Sequence, residues 1–418
     1  MINLILSGIS AGFDLMGIPL EFILFGATLL CVAIFHDHTL KVALTGLTAI
    51  LIYKLAFTGF SLPEHIFGNE HHEGEWSILL NLFGLLTGFA ILADHFEKSG
   101  MPEKLPHYLP NDWKGGFVLL LMTAILSSFL DNIAAAMIGG SVALVVFKNK
   151  VHIGYIAAIV AASNAGGAGS VVGDTTTTMM WIDGVNAVDV THAYIASVAA
   201  ILFLAYFASK QQQAYQPIRK ENPHHIHIDK TKLLLVLLIL IGAILTNIYL
   251  DFPAAGVWMA ILLGALARPV PWKILPDAIK GSLFLLSLVL CASMMPVDQL
   301  PEASWQTAFS LGFISSVFDN IPLTKLALEQ GGYDWGVLAF AVGYGGSMIW
   351  FGSSAGVAIS NIFPEAKSVG NWIRGGWHVV AAYIIGFFVM LAVTGWNPHP
   401  PHKAKHLPAV PAVSDTPH

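Results

Sequence analysis

Charge is what this chain has least of. Lys and Arg together number 20 and Asp and Glu 26 in 418 residues, so 11% of the sequence is charged and 55% hydrophobic, where a soluble globular protein carries about 25% charged residues. A chain so poor in charge is expected to be a multi-pass integral membrane protein, and long apolar runs make it all-α, because a bilayer admits only helices and closed barrels. Cysteine is nearly absent. Cys31 and Cys291 each lie inside an apolar run, which excludes a disulfide framework and a thiolate metal site. Residues 1–16 lack a basic leader and an A-x-A site, so no cleaved signal peptide is expected. No nucleophile triad, phosphate loop or nucleic-acid signature is present, so the reading calls for no enzyme, no cofactor and no nucleic-acid partner. The formal charge of -6 carries little information, because in a membrane protein the position of each charge matters more than the sum.

What is there in quantity is apolar sequence of spanning length. Runs near 17–35, 39–60, 76–96, 190–209, 233–250, 254–267, 281–300 and 376–396 approach the roughly 20 residues a helix needs to cross. Regions 153–182 and 335–366 are spans interrupted by glycine, giving about ten spans. The run 115–147 is different: as one helix it would be about 50 Å long against a hydrocarbon core of about 30 Å. Broken near Asp131, it becomes a re-entrant hairpin, and 303–330 reads as a second. With the 97–114 loop placed inside, sixteen of the 20 Lys and Arg residues fall on the inner side, as the positive-inside rule requires. Both termini then lie outside. Lys325, within the second hairpin, is one of the four exceptions.

The chain also repeats itself. S-S-F-L-D-N-I at 127–133 recurs as S-S-V-F-D-N-I-P at 315–322, and Gly166-Gly167 with Gly173 is matched by Gly345-Gly346 with Gly352. The expected organisation is a first repeat over 1–209, a cytoplasmic linker at 210–232, an inverted second repeat over 233–396 and a disordered tail at 397–418. Inverted repeats with interrupted spans place a site at the bilayer midplane, between the ends of discontinuous helices.

The chemistry sits at those interruptions. Ser163 to Trp181 reads S-N-A-G-G-A-G-S-V-V-G-D-T-T-T-T-M-M-W, a poor continuous helix, since glycine costs about 1 kcal/mol relative to alanine. Asp131, Asp174 and Asp319 lie in apolar surroundings, where each costs about 2.5 to 3.5 kcal/mol on insertion scales. Asn132, Asn164, Asn320, Thr175, Thr176, Thr177, Ser353 and Ser354 supply neutral oxygens beside them, a ligand set for a hard cation. The plainer alternative is that these side chains only cap broken helices. Against it, the second repeat has Ser353 where the first has Asp174, so capping there needs only a hydroxyl and the carboxylate is extra. Removal from water disfavours a charged carboxylate, so protons and cations compete for the same oxygens. That competition suffices to couple one to the other, and apart from the transported ion no metal is expected. His95, at the inner end of a span, is a candidate for a pH-responsive contact. His224, His225 and His227 in the linker read as a solvated loop, and the Glu70-His71-His72 cluster lacks metal-ligand spacing.

S-F-L-D-N-I-A-A-A, S-N-A-G-G-A-G-S-V-V-G-D-T-T-T-T-M-M-W and V-F-D-N-I-P together resemble the NhaD-type sodium/proton antiporters. These belong to the ion transporter superfamily that also holds citrate, dicarboxylate and arsenite carriers. The resemblance covers about residues 76–396. It implies opposed hairpins in two inverted repeats, a dimerising scaffold and a transport domain that moves as an elevator, in a bacterial-type inner membrane. It also implies that Asp131, Asn132, Asn164, Asp174, Thr176, Thr177 and Asp319 form the sodium and proton site. One departure bears on the substrate: such antiporters usually read A-W-S-P-I-G-D, whereas this chain has Ala168-Gly169-Ser170-Val171-Val172-Gly173-Asp174. An organic-anion carrier of the same superfamily therefore remains the second reading, and a channel or membrane enzyme a third.

Overall fold

The computed structural model describes residues 13–399 except 16, 36–37, 70–71 and 219–227. The linker histidines and the centre of the Glu70 cluster lie outside the described residues. Among those described, the regular structure is helical apart from two short two-stranded ribbons, and the chain is a multi-pass membrane protein. Six helices are long and apolar enough to cross a membrane.

Four of these long helices, with two shorter ones, pack as one set: α1 (Leu20–Ile34), α2 (Thr39–Phe57), α3 (Trp76–Glu97), α10 (Lys230–Leu250), α11 (Pro253–Gly264) and α12 (Leu275–Ser293). A second set holds α5 (Trp113–Ser127), α6 (Asn132–Val146), α7 (Ile153–Gly167), α8 (Thr175–Ile182), α9 (Ala193–Tyr215), α13 (Trp305–Ser315), α14 (Asn320–Gln330), α15 (Trp335–Gly345), α16 (Ser354–Ile362) and α17 (Trp377–Thr394). The amphipathic α4 (Met101–Tyr108) connects them, resting on α3 and α6. Elsewhere the two sets meet chiefly where α3 touches α8 and where α12 packs on α14.

The helices are interrupted at both Asp-Asn motifs. Asp131 ends the gap between α5 and α6 and bonds the Ile133 amide at 3.4 Å; Asp319 does the same between α13 and α14, with Ile321 at 3.0 Å. The interrupted spans divide as α7/α8 and α15/α16. Close approach explains why glycine stands at the breaks: a Cβ on Gly166 would run into the carbonyl of Ala124 on α5, and one on Gly345 into the carbonyl of Gly312 on α13. The two halves thus repeat down to the atoms that touch.

Several boundaries differ from the hydropathy reading. The run expected at 281–300 is a helix over Leu275–Ser293, opened by Pro276 in its first turn and followed by Pro296; prolines, not hydropathy, set its ends. α9 continues past residue 209 to Tyr215, because Gln212, fully buried, donates to the carbonyl of Lys150 and accepts from the amide of His152. The tail expected to be disordered from 397 is not so at its start. His399 exchanges backbone hydrogen bonds with Tyr333 and Gly332, and the Asn397 amide donates to Asp334 at 3.0 Å. Residues 400–418 lie outside the described part.

Asp229 caps α10 and meets Arg268 at 3.1 Å; the guanidinium holds its carboxyl below the usual carboxylate range.

Candidate functional site

The four broken ends converge on Asp174, the residue before α8. Its backbone is extended, at φ -142°, and its side chain makes no cap hydrogen bond to its own helix. Ser353, its counterpart before α16, does cap, accepting from the Gly356 amide at 3.3 Å. The Asp174 carboxylate faces the Thr175 and Thr176 amides at the start of α8 without closing a cap bond of the Ser353 kind.

It bonds the first hairpin directly and reaches the second through Thr176. Oδ1 of Asp174 accepts from Nδ2 of Asn132, the first residue of α6, at 2.9 Å, and from the Thr175 hydroxyl at 3.4 Å. Asn132 also donates to Oδ1 of Asn164 at 3.0 Å, and Asn164 donates to the Ser347 hydroxyl at 2.9 Å. From the opposite hairpin, Asn320 donates to the Thr176 hydroxyl at 2.8 Å, and Thr176 is itself a hydrogen-bond partner of the Asp174 carboxylate. One continuous network thus runs from Ser347 through Asn164, Asn132, Asp174 and Thr176 to Asn320, and all six residues are buried.

Two acceptors in it lack a protein donor: Oδ2 of Asp174 and Oδ1 of Asn132. Buried acceptors are normally satisfied, so a pair of bare oxygens on neighbouring residues is the signature of a site for a proton or a cation. A cavity of 20 Å³ adjoins Asp174, lined also by Asp131, Thr175, Thr178, Val172 and, from α3, Leu85, Leu86 and Phe89. That is room for about one water-sized species. None of the ion pairs among the described residues involves Asp131, Asp174 or Asp319, so no basic side chain neutralises them.

Not every residue singled out in the sequence joins this network. Asp131 shares the cavity, whereas Asp319 does not line it and pairs with the Ser354 hydroxyl. Thr177 donates to the Ser170 carbonyl at 2.6 Å and Thr178 to that of Val171 at 2.9 Å, so both close the loop before α8. His95 is buried at the inner end of α3, six residues beyond Phe89 and so about 9 Å farther along the axis.

Two members have no counterpart among the residues picked from sequence. Ser347 follows Gly345-Gly346 as Ala168 follows Gly166-Gly167, so the repeat alignment did mark its position. Gly343 is the other: a Cβ there would stand 2.7 Å from Oδ2 of Asp174 and 3.8 Å from the Thr176 hydroxyl. Glycine on α15 thus leaves the free carboxylate oxygen its space. Gly343→Ala is expected to weaken half-saturation by the transported cation about tenfold, roughly 1.4 kcal/mol, with folding retained. Transport kinetics in reconstituted vesicles measure this; an unchanged half-saturation refutes it.

A family model described as "Citrate transporter" matches residues 15–345. "Sodium/proton antiporter 1" of Arabidopsis thaliana is 28% identical over 374 residues, which is 75% of this chain and 63% of that protein. Proteins named "Na(+)/H(+) antiporter NhaD" match from Alkalimonas amylolytica, at 25% identity over 68% of each chain, and from Vibrio parahaemolyticus, at 23% over 59% of this chain and 72% of the relative. This chain therefore spans less than two thirds of the plant relative's length. All these names are those of transporters, none of an enzyme. Both Asp-Asn tips and the whole Asn164–Thr177 segment fall inside the region the family model matches, and on that extent the chain belongs to the citrate transporter family.

Proposed function

We infer that the chain is a secondary transporter exchanging sodium or lithium for protons, and that the cation sits against Asp174 and Asp131, with Asn132 and Thr175 as neutral ligands. One observation carries the reading: a buried carboxylate, bonded to Asn132 of one hairpin and linked through Thr176 to Asn320 of the other, has no basic partner among the described residues. Ionised, it requires a cation; without the cation, it requires a proton. A single site then alternates between the two loads, which is the condition for exchange. The names of the plant and bacterial relatives agree with this cargo.

The organic-anion reading draws on the family's description and on the departure at Ala168–Asp174. It calls for helix N-termini and hydroxyls facing a carboxylate, and a bare Asp174 oxygen opposes a substrate of its own sign. Everted vesicles with a pH-sensitive dye separate the two. Sodium or lithium should collapse the proton gradient; a response to citrate with none to either cation overturns the proposal.

The matching contacts of Gly166 and Gly345 support two repeats, which we take to be inverted, and the division into two helix sets supports a scaffold and a mobile transport bundle in a homodimer. A bacterial-type inner membrane is the compartment we propose. With Cys31 and Cys291 replaced, Lys150→Cys and Glu302→Cys should react with an impermeant thiol reagent from opposite sides. Reaction of both from one side rules out inverted hairpins.

A further inference from the structure

Lys325 lies on α14, five residues past the Asn320 that reaches the Asp174 network, and is wholly buried. Three carboxylates surround its Nζ: Glu329 at 2.7 Å, Glu75 at 2.9 Å and Asp183 at 3.2 Å. A buried ammonium needs compensation, and removal of its partners is strongly destabilising. Two of the three suffice for that. Glu329 stands one turn along α14, and Asp183 directly follows α8, so both belong to the same helix set as Lys325. Glu75 does not: it directly precedes α3, in the other set. The third carboxylate is thus surplus to neutralising Lys325, and it is the one that crosses the boundary.

The repeat sharpens the point. The residue matching Lys325 in the first hairpin is Met137, so the hairpin fold does not require a base at this position. Glu75 also sits at the end of its helix, where it can be hydrated once released, while Lys325 keeps Glu329 and Asp183. The boundary here can therefore open without stranding a buried charge.

We propose that the Lys325–Glu75 ion pair is a latch between the two helix sets, holding the conformation described here and breaking each time the transport bundle moves. This rests on the exchange reading only for the motion it serves. Glu75 is then a positioning residue, remote from the cargo.

Spin labels on cysteines replacing Leu80 on α3 and Phe313 on α13, both exposed to lipid, report the separation of the two sets in the full chain without Cys31 and Cys291. Glu75→Gln should lower the population at the present separation about fivefold or more, the range of ordinary coupling energies. Glu75→Asp should lower it less. Glu329→Gln, which removes a partner within α14 itself, should leave the distribution unchanged. If Glu75→Gln is not recovered in folded form, Glu75→Asp carries the test. A purely structural cluster would lower the unfolding midpoint in the Glu75 and Glu329 variants alike with the distribution unmoved, and that result overturns the latch. The measurement uses no substrate, so a failure of sodium exchange in the unmodified protein would count against the functional reading and leave this outcome legible.

Discussion

Asp174→Asn is expected to abolish sodium-dependent exchange, by at least about a hundredfold. The substituted amide keeps the shape of the carboxylate and one acceptor for the Asn132 donor at 2.9 Å, but it cannot neutralise a cation. Removing one partner of a buried charge pair costs about 3 to 5 kcal/mol, and each 1.4 kcal/mol is tenfold in affinity. Asn keeps an acceptor for the Thr175 and Thr176 amides that face Asp174, so the start of α8 should lose little and the protein should reach the membrane folded. Ser353→Ala makes the opposite comparison: it removes a cap, with a typical cost of about 1 kcal/mol, and should lower stability more than exchange. Dye dequenching by sodium on the two variants, beside their unfolding midpoints, measures the contrast. Normal exchange in Asp174→Asn would remove that residue from the transport site.

Lowering pH should raise the apparent KM for sodium, and by about tenfold per pH unit once the site is mostly protonated, with a much smaller effect on the maximal rate. The reason is that one proton and one cation compete for the same oxygens, so the linkage between them is one for one. The sign is fixed by this competition: protons win as pH falls, and sodium must be raised to displace them. Asp131 and Asp174 face one cavity, so their titration belongs to the pair and not to either residue alone. Exchange should also fall at high pH, when protons become too scarce on either side to serve as the counter-ion. Initial rates against sodium at several pH values give the answer. A KM independent of pH would mean separate paths for the two ions.

The sequence made the polar tips readable because an aspartate in an apolar run is costly wherever it lies, and the repeat of D-N with GG-x5-G then told which interruptions belong together. It also distinguished Asp174 from Ser353, whose hydroxyl accepts from the Gly356 amide. Three things were not legible. Gly343 acts by having no side chain, so nothing in its type points to Asp174. Ser347 was aligned by the repeat but stood opposite Ala168, an apolar residue, and so drew no notice. The partners of Lys325 come from residues 75, 183 and 329, and no local pattern brings such distant positions together. Helix ends suffered likewise where hydropathy began after Pro276, ran on past Pro296, or stopped before Gln212.

The burial of the interrupted spans bears on how the protein is made. Every residue of α15, and all but the first of α7, is buried, whereas α2 and α10 turn most of their surface outward. At 15 and 11 residues, α7 and α15 are too short to cross by themselves, and lipid offers no donors for their broken ends or for Asn164. They are stable only behind walls, and one of those walls, α17, which packs on α7, α9 and α15, follows all three in the chain. Biogenesis therefore cannot proceed by inserting each segment into lipid and docking it afterwards. The half-spans must be held in a protein-lined or wet environment until α17 arrives, so the Asp174 network forms only after the helix that walls it.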